Sequence, residues 1–170
     1  MTPLMLQEEL VKEIKSLLSG YLYKKPPKQD ESEEWEDEEE KEVERVPMNV
    51  YSQNLPVNPI NDDSDPVPYI IVRLNSGEDK GVRDSNNVVK LVIIIATWDD
   101  ALDAQGYRDV MNIIQKIYHR FQTNPNLNGV GAYAGEFDWA MQEDNYYPYS
   151  FGACSLRFHI SAIRREDPFA

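Results

Sequence analysis

The chain has 170 residues, enough for one ordinary domain with appendages, and a hydrophobic share of 41% that supports one real core. Its net charge of −13 argues against binding nucleic acid by counterion release, which needs clustered Lys and Arg facing phosphates. Eleven acidic residues and one lysine between Asp30 and Glu44 carry −10 of that charge, so the rest of the chain holds only −3.

In chain order, Leu6, Leu10, Ile14, Leu17 and Leu18 recur at helical spacing with charges between them. Thr2-Pro3 suits a helix start and Gly20 a stop, which predicts a helix over 3–19. Its apolar stripe is expected to lie against a sheet; the alternative use is a partner helix. Gln7, Glu8, Glu9, Lys12, Glu13 and Lys15 interrupt this segment, so it does not read as a signal peptide. No stretch reaches the ~18–20 apolar residues of a spanning helix, and no membrane partner is expected.

Residues 24–66 change character. Pro26, Pro27, Pro47, Pro56, Pro59 and Pro66 interrupt regular elements, and the acidic run repels itself. A long, solvated acidic loop insertion is expected there, flexible in the free chain; Trp35 inside the acidic run is more often incidental in such a loop, the alternative being an anchor to a partner.

From Pro66 a sheet is expected. Tyr69 to Leu74 alternates, with Ile70, Val72 and Leu74 on one face. Asn75-Ser76-Gly77 predicts a turn, and Glu78–Asn87 a polar crossing or hairpin arm. Val88 to Ala96 is an almost unbroken apolar run, which predicts a strand covered on both faces. A loop, Trp98–Asp103, leads to a helix from about Asp103 or Ala104 to Thr123, with Asp103 as N-cap. Val110, Ile113, Ile114, Ile117 and Phe121 form its buried stripe. Arg108, Asn112, Gln115, His119 and Gln122 face water or a partner, and Asn124-Pro125 ends it.

Two half-buried strands follow. In the first, Phe137, Trp139 and Met141 share a face. In the second, Leu156, Phe158, Ile160 and Ala162 point inward and Ser155, Arg157, His159 and Ser161 outward. Between them Tyr146–Gly152 reads as a loop dense in aromatics. The fold class is therefore α+β: a mostly antiparallel sheet packed by an N-terminal helix and one central helix, with a long acidic loop insertion, in a single domain over 1–170.

The chemistry-bearing residues do not assemble into a familiar reaction centre. His119 and His159 lack the i, i+4 spacing of a helical metal site. Asp99, Asp100 and Asp103 cluster after the central strand and could hold Mg²⁺ as in a nuclease, but no cationic group for a scissile phosphate is near in sequence. Capping and loop solvation account for them more simply. Cys154, the single cysteine, excludes an internal disulfide and fits a reducing compartment. The residues point to an assembly protein rather than an enzyme, with no metal and no cofactor. The aromatic loop is the better functional candidate, since Tyr and Phe bury large areas at low rotamer cost.

Several segments carry a resemblance. Pro68-Tyr69-Ile70-Ile71-Val72-Arg73-Leu74, Leu91 to Asp99, Gln105-Gly106-Tyr107-Arg108-Asp109-Val110-Met111-Asn112-Ile113-Ile114, Pro148-Tyr149-Ser150-Phe151-Gly152-Ala153 and Ala162-Ile163-Arg164-Arg165-Glu166 resemble, in order and spacing, the tail terminator (tail completion) family of tailed bacteriophages, in the version common in phages and prophages of Gram-positive bacteria. The likeness covers roughly residues 66–167; the acidic insertion at 29–45 departs from the family's simplest pattern. It implies a structural virion protein, assembled in the host cytoplasm. Six copies would form a ring that caps the tail tube, stops its polymerisation and joins the tail to the head connector. The implied partners are further copies of the chain, the tail tube protein, the head-tail connector or stopper protein and, in a contractile tail, the sheath. DNA would pass through the lumen without specific binding; six copies carry −78, which disfavours gripping it. The alternatives are a head-side neck or stopper protein of the same connector, a metal-dependent nuclease, and a DNA mimic built on residues 30–44. From exposure and composition alone, the candidate interface residues are Tyr147, Tyr149 and Phe151 with Arg108, Asn112, Gln115 and His119. Trp35, Glu36, Asp37, Glu38 and Glu39 are the candidates for lumen or neighbour contact.

Overall fold

A computed structural model of the chain describes residues 1–28, 43–58, 64–81 and 86–161. Two helices accompany a mixed six-stranded sheet, an α+β architecture. Helix α1 spans Pro3–Leu17. The Thr2 hydroxyl caps it by accepting the Met5 N–H at 3.2 Å, and Pro3 sits where a missing donor costs nothing. Gly20, at φ +83°, carries the chain away from the last turn.

The proline-rich stretch after α1 is not devoid of regular structure, contrary to expectation. Tyr23–Lys24 (β1) and Arg45–Val46 (β2) pair antiparallel and clamp the two ends of the acidic insertion side by side. Asn49–Ser52 (β3) joins the main sheet, parallel to Tyr69–Glu78 (β4). Pro47 and Pro56 bracket β3 without entering it, and Val50 is buried in the core. The acidic residues 29–42, with Trp35, Glu36, Asp37, Glu38 and Glu39, lie outside the described residues, as does Ala162.

The remaining elements are Asn87–Trp98 (β5), Tyr107–Thr123 (α2), Asn126–Leu127 (β6), Gly131–Met141 (β7) and Tyr149–Ile160 (β8). The sheet order is β3-β4-β5-β8-β7-β6, and every pair except β3–β4 is antiparallel. The expected turn at Asn75-Ser76-Gly77 is instead strand. β4 absorbs those small polar residues as a register shift between Leu74 and Ser76 and runs on to Glu78.

One face of the sheet carries the main core. Leu6, Leu10 and Ile14 of α1 and Val110, Ile113, Ile114, Ile117 and Phe121 of α2 are buried there against Val89, Leu91, Ile93 and Ile95 of β5. Phe121, Tyr133 and Phe158 form an aromatic triad joining α2, β7 and β8, with centroids 5.2–6.2 Å apart. Arg120 of α2 is ion-paired to Glu13 of α1, tying the helices together.

The second face of β5 is not fully covered, which corrects the reading of a strand buried on both sides. Val88, Val92 and Ile94 are half-buried there. Among the described residues only the Trp98 end is closed, by a smaller cluster of Val67, Ala96 and Trp98 with Val43, Tyr69, Tyr149 and Phe151 around it. Apolar content on both faces of a strand thus reports two unequal covers, not two complete layers.

Candidate functional site

The Trp98 end of β5 gathers most of the polar chemistry. The Lys24 ammonium, brought in by β1, lies 2.6 Å from Asp99 Oδ1 and 3.4 Å from Asp100 Oδ1. Asp99 also accepts the Ala101 N–H at 3.1 Å. Burial opposes ionisation of Asp99, yet Lys24, the Ala101 N–H and the Arg45 charge together hold its carboxyl below the usual range. Asp109, in the first turn of α2, shifts the other way: burial and the Asp99 charge raise it, against weaker pulls from Arg45 and Lys24. Tyr23 beside them is pushed up to about 12, first by burial and then by Asp109. A half-buried pair of carboxylates is therefore shared by cations that come from both sides of the acidic insertion.

These opposite shifts set opposite pH dependences. The stability Asp99 contributes is present above the ordinary carboxylate range and is lost as pH falls through its lowered folded value. Asp109 favours the fold when protonated, a contribution present below the ordinary range and lost as pH rises through its raised value. Asp109→Asn is therefore expected to raise the urea midpoint at pH 7 and to match the parent near pH 3. An unchanged or lowered midpoint at pH 7 contradicts this account.

The start of α2 corrects the expected cap. The Asp103 carboxylate accepts the Gln105 N–H at 3.1 Å within the preceding turn, and the helix begins at Tyr107 behind Gly106, without a side-chain cap. A Cβ at Gly106 would lie 2.9 Å from Asp99 Cβ, just past the end of β5, so this close approach favours glycine before the helix.

Beside this junction opens a cleft of ≈ 300 Å³, lined among others by Asp99, Tyr107, Gln142, Asp144, Tyr147 and Ser150. Tyr146 and Tyr147 are the parts of the expected aromatic loop that stay at the surface, the Tyr147 hydroxyl donating to Asp100 O at 2.7 Å. Tyr149 and Phe151 are strand residues of β8 instead of loop residues. Their rings stack at 6.3 Å and pack on the smaller cluster, and the Tyr149 hydroxyl donates to Asp65. That bond, then burial, pushes Tyr149 up to about 12. Both rings serve the chain's own packing on that face.

Arg108, Asn112, Gln115 and His119 are all exposed on one face of α2. Asn112, Gln115 and His119 border a shallow depression of ≈ 280 Å³ with Lys116 and Arg120. Here the helical spacing led directly to the surface. The Asp99 and Tyr147 sides of the cleft are legible as an acidic cluster and an aromatic loop, whereas the Lys24–Asp99 contact beside it has no local sequence signal, because the two meet across 75 positions. Asp99, Asp100 and Asp103 do not converge: the first two share Lys24 and the third faces its own turn. Among the described residues no group of three His, Cys, Asp or Glu side chains is placed to hold a metal ion. Cys154 is buried, and burial pushes its thiol up to about 12.

Compared with models of known protein families and with curated protein sequences, the chain matches none.

Proposed function

We propose that the chain is a structural subunit of a phage tail terminator, closing into a six-membered ring on the tail tube and meeting the head connector on its other side. The observation that supports this most is a pair of unlike exposed surfaces on one chain. One is the cleft with Asp144, Tyr107 and Tyr147; the other is the α2 face with Arg108, Asn112, Gln115 and His119, beside Lys116 and Arg120. Two different patches that fit one another make a heterologous contact, and such a contact closes into a ring when its rotation divides a full turn. Opposite charge across it would steer the copies into register. No bond is made or broken in this role; the chain works by shape. The net charge of the subunit also suits a lumen through which DNA slides.

The test is electron microscopy of the purified chain, alone and with tail tube protein. Rings on tube ends are expected. Arg108→Glu combined with His119→Glu is expected to abolish them while leaving the circular dichroism spectrum intact. Monomers only, by native mass spectrometry and light scattering in the presence of tubes, defeat the proposal. Cross-linking to portal-side protein in place of tube protein would move the subunit to the head side of the connector.

A further inference from the structure

β7 carries an open edge. β6 pairs only with Gly131 and Ala132, and Pro125 O takes the Tyr133 N–H at 2.7 Å. From Ala134 to Met141 no described strand lies outside it. On its inner side Gln142 donates its N–H to Phe151 O at 3.1 Å, and the register sets Ala140 beside Ala153 and Asp138 beside Ser155. Backbone groups alternate from side to side along an antiparallel ladder. Asp138, Ala140 and Gln142 therefore bond β8, while Phe137, Trp139 and Met141 turn their N–H and C=O groups outward.

Trp139 sits in the middle of that outward set and is 55% exposed. Tyr118 of α2, also exposed, packs edge-on against Phe137 at 5.1 Å, so the apolar surface extends onto the helix. Proteins usually blunt an open edge with prolines, charges or short length. The opposite edge of this sheet is blunted in that way: β3 has four residues between Pro47 and Pro56. β7 is longer and, beside the exposed Glu136 and Asp138, presents an indole in its outward set.

We propose that two copies of the chain pair antiparallel through β7, with Trp139 opposite the partner's Trp139 on a two-fold axis. In this register Phe137 faces the partner's Met141, so the outward-bonding residues of both copies coincide and close about six backbone hydrogen bonds. A one-residue slip sets outward groups against inward ones. A two-residue slip in one direction places Asp138 opposite the partner's Asp138, a like-charge contact; in the other it loses one of the three bonding pairs. In this register Asp138 meets the partner's Ala140 and Glu136 the partner's Gln142, so no like charges lie directly opposite. The outward hydrogen-bonding groups of the strand are self-complementary in this register, with Trp139 meeting its own copy, which favours a second copy as the occupant. The contact is small, so the dimer is weak and reversible. A two-fold pair does not close a six-membered ring; it belongs to the free chain before assembly, and the ring reading neither requires it nor falls with it.

Sedimentation equilibrium of the full chain up to roughly 100 µM is expected to show a monomer–dimer equilibrium. Trp139→Pro removes an outward N–H and no bond to β8, so it should weaken the dimer at least about tenfold with little change in melting temperature. Trp139→Lys should do the same by charge, covering the case in which the proline variant misfolds. Trp139→Cys should give a disulfide-linked dimer on oxidation, because directly opposed residues lie within bridging distance. Cys154 is buried, so the parent chain should give none. Monomer at every concentration overturns the proposal. So does a dimer that survives both Trp139→Pro and Trp139→Lys, or a dimer in which Trp139→Cys does not cross-link.

Discussion

Replacing Gly152 with alanine is expected to cost about 2 kcal/mol of stability, and with valine to leave little folded protein at room temperature. Gly152 lies in β8 beneath α2. A Cβ there would sit 2.6 Å from Val110 Cγ1, 2.9 Å from Met141 Sδ and 3.3 Å from the Ala140 carbonyl oxygen. The Met141 side chain can swing aside. Val110 belongs to the first turns of α2 and is fully buried, so it yields only if the helix lifts from the sheet. The Ala140 carbonyl is part of β7 and cannot move without breaking the ladder. Lifting α2 would also widen the close Asp99–Gly106 approach just before the helix. Urea unfolding of Gly152→Ala tests this, and Val110→Ala in the same chain should recover part of the loss. An unchanged urea midpoint in Gly152→Ala would show that the helix floats over β8 and that the close packing does not hold.

How far the fold could be read from residues alone depended on whether a pattern was local. Ile113, Ile117 and Phe121 advertise a buried helix face because 3.6-residue spacing needs no partner to be visible, and the alternation of β8 from Ser155 to Ile160 does the same at period two. β3 escaped detection because four residues between prolines are too few for a period, and its pairing is parallel to a strand seventeen residues later. The turn signal of Asn75-Ser76-Gly77 was overridden by pairing with Lys90 and Val89 of β5. Asp103 does not cap α2 because its carboxylate accepts the Gln105 N–H within the preceding turn and the helix starts only at Tyr107. Among the candidate site residues, exposure on α2 followed from helical geometry. The partial burial of Tyr149 and Phe151 did not, since the cluster they pack against draws on Val43 and Val67, which sit far away in sequence. Lys24, Asp109 and Tyr107 were missed for the same reason: their roles arise from contacts across the fold.

Phe158→Ala is expected to be the most damaging single truncation, at about 4 kcal/mol, out of a total that for a domain of this kind is roughly 5–15. Phe158 is fully buried toward the C-terminal end of β8. Its ring meets Phe121 of α2 at 5.2 Å and 85°, and Tyr133 of β7 at 6.2 Å and 63°. The edge-to-face geometry adds about 0.5–1.5 kcal/mol per pair beyond burial. Three elements therefore share one side chain, and the cavity left by its loss cannot collapse without moving a helix and a strand together. Phe158→Leu keeps most of the volume and should cost under half as much. Phe121→Ala combined with Phe158→Ala should cost less than the sum of the two, because each removes part of the same contact. Tyr133 also lies at the bulge through which β7 regains register with β8 at Phe137, just before its open edge. Loss of the triad should therefore loosen that edge first, seen as faster amide exchange at Phe137 to Met141 in Phe158→Leu, where the chain still folds. A loss under 1 kcal/mol in Phe158→Ala, or unaltered exchange at β7 in Phe158→Leu, would mean that the sheet ladder alone holds this edge and that the aromatic triad is incidental.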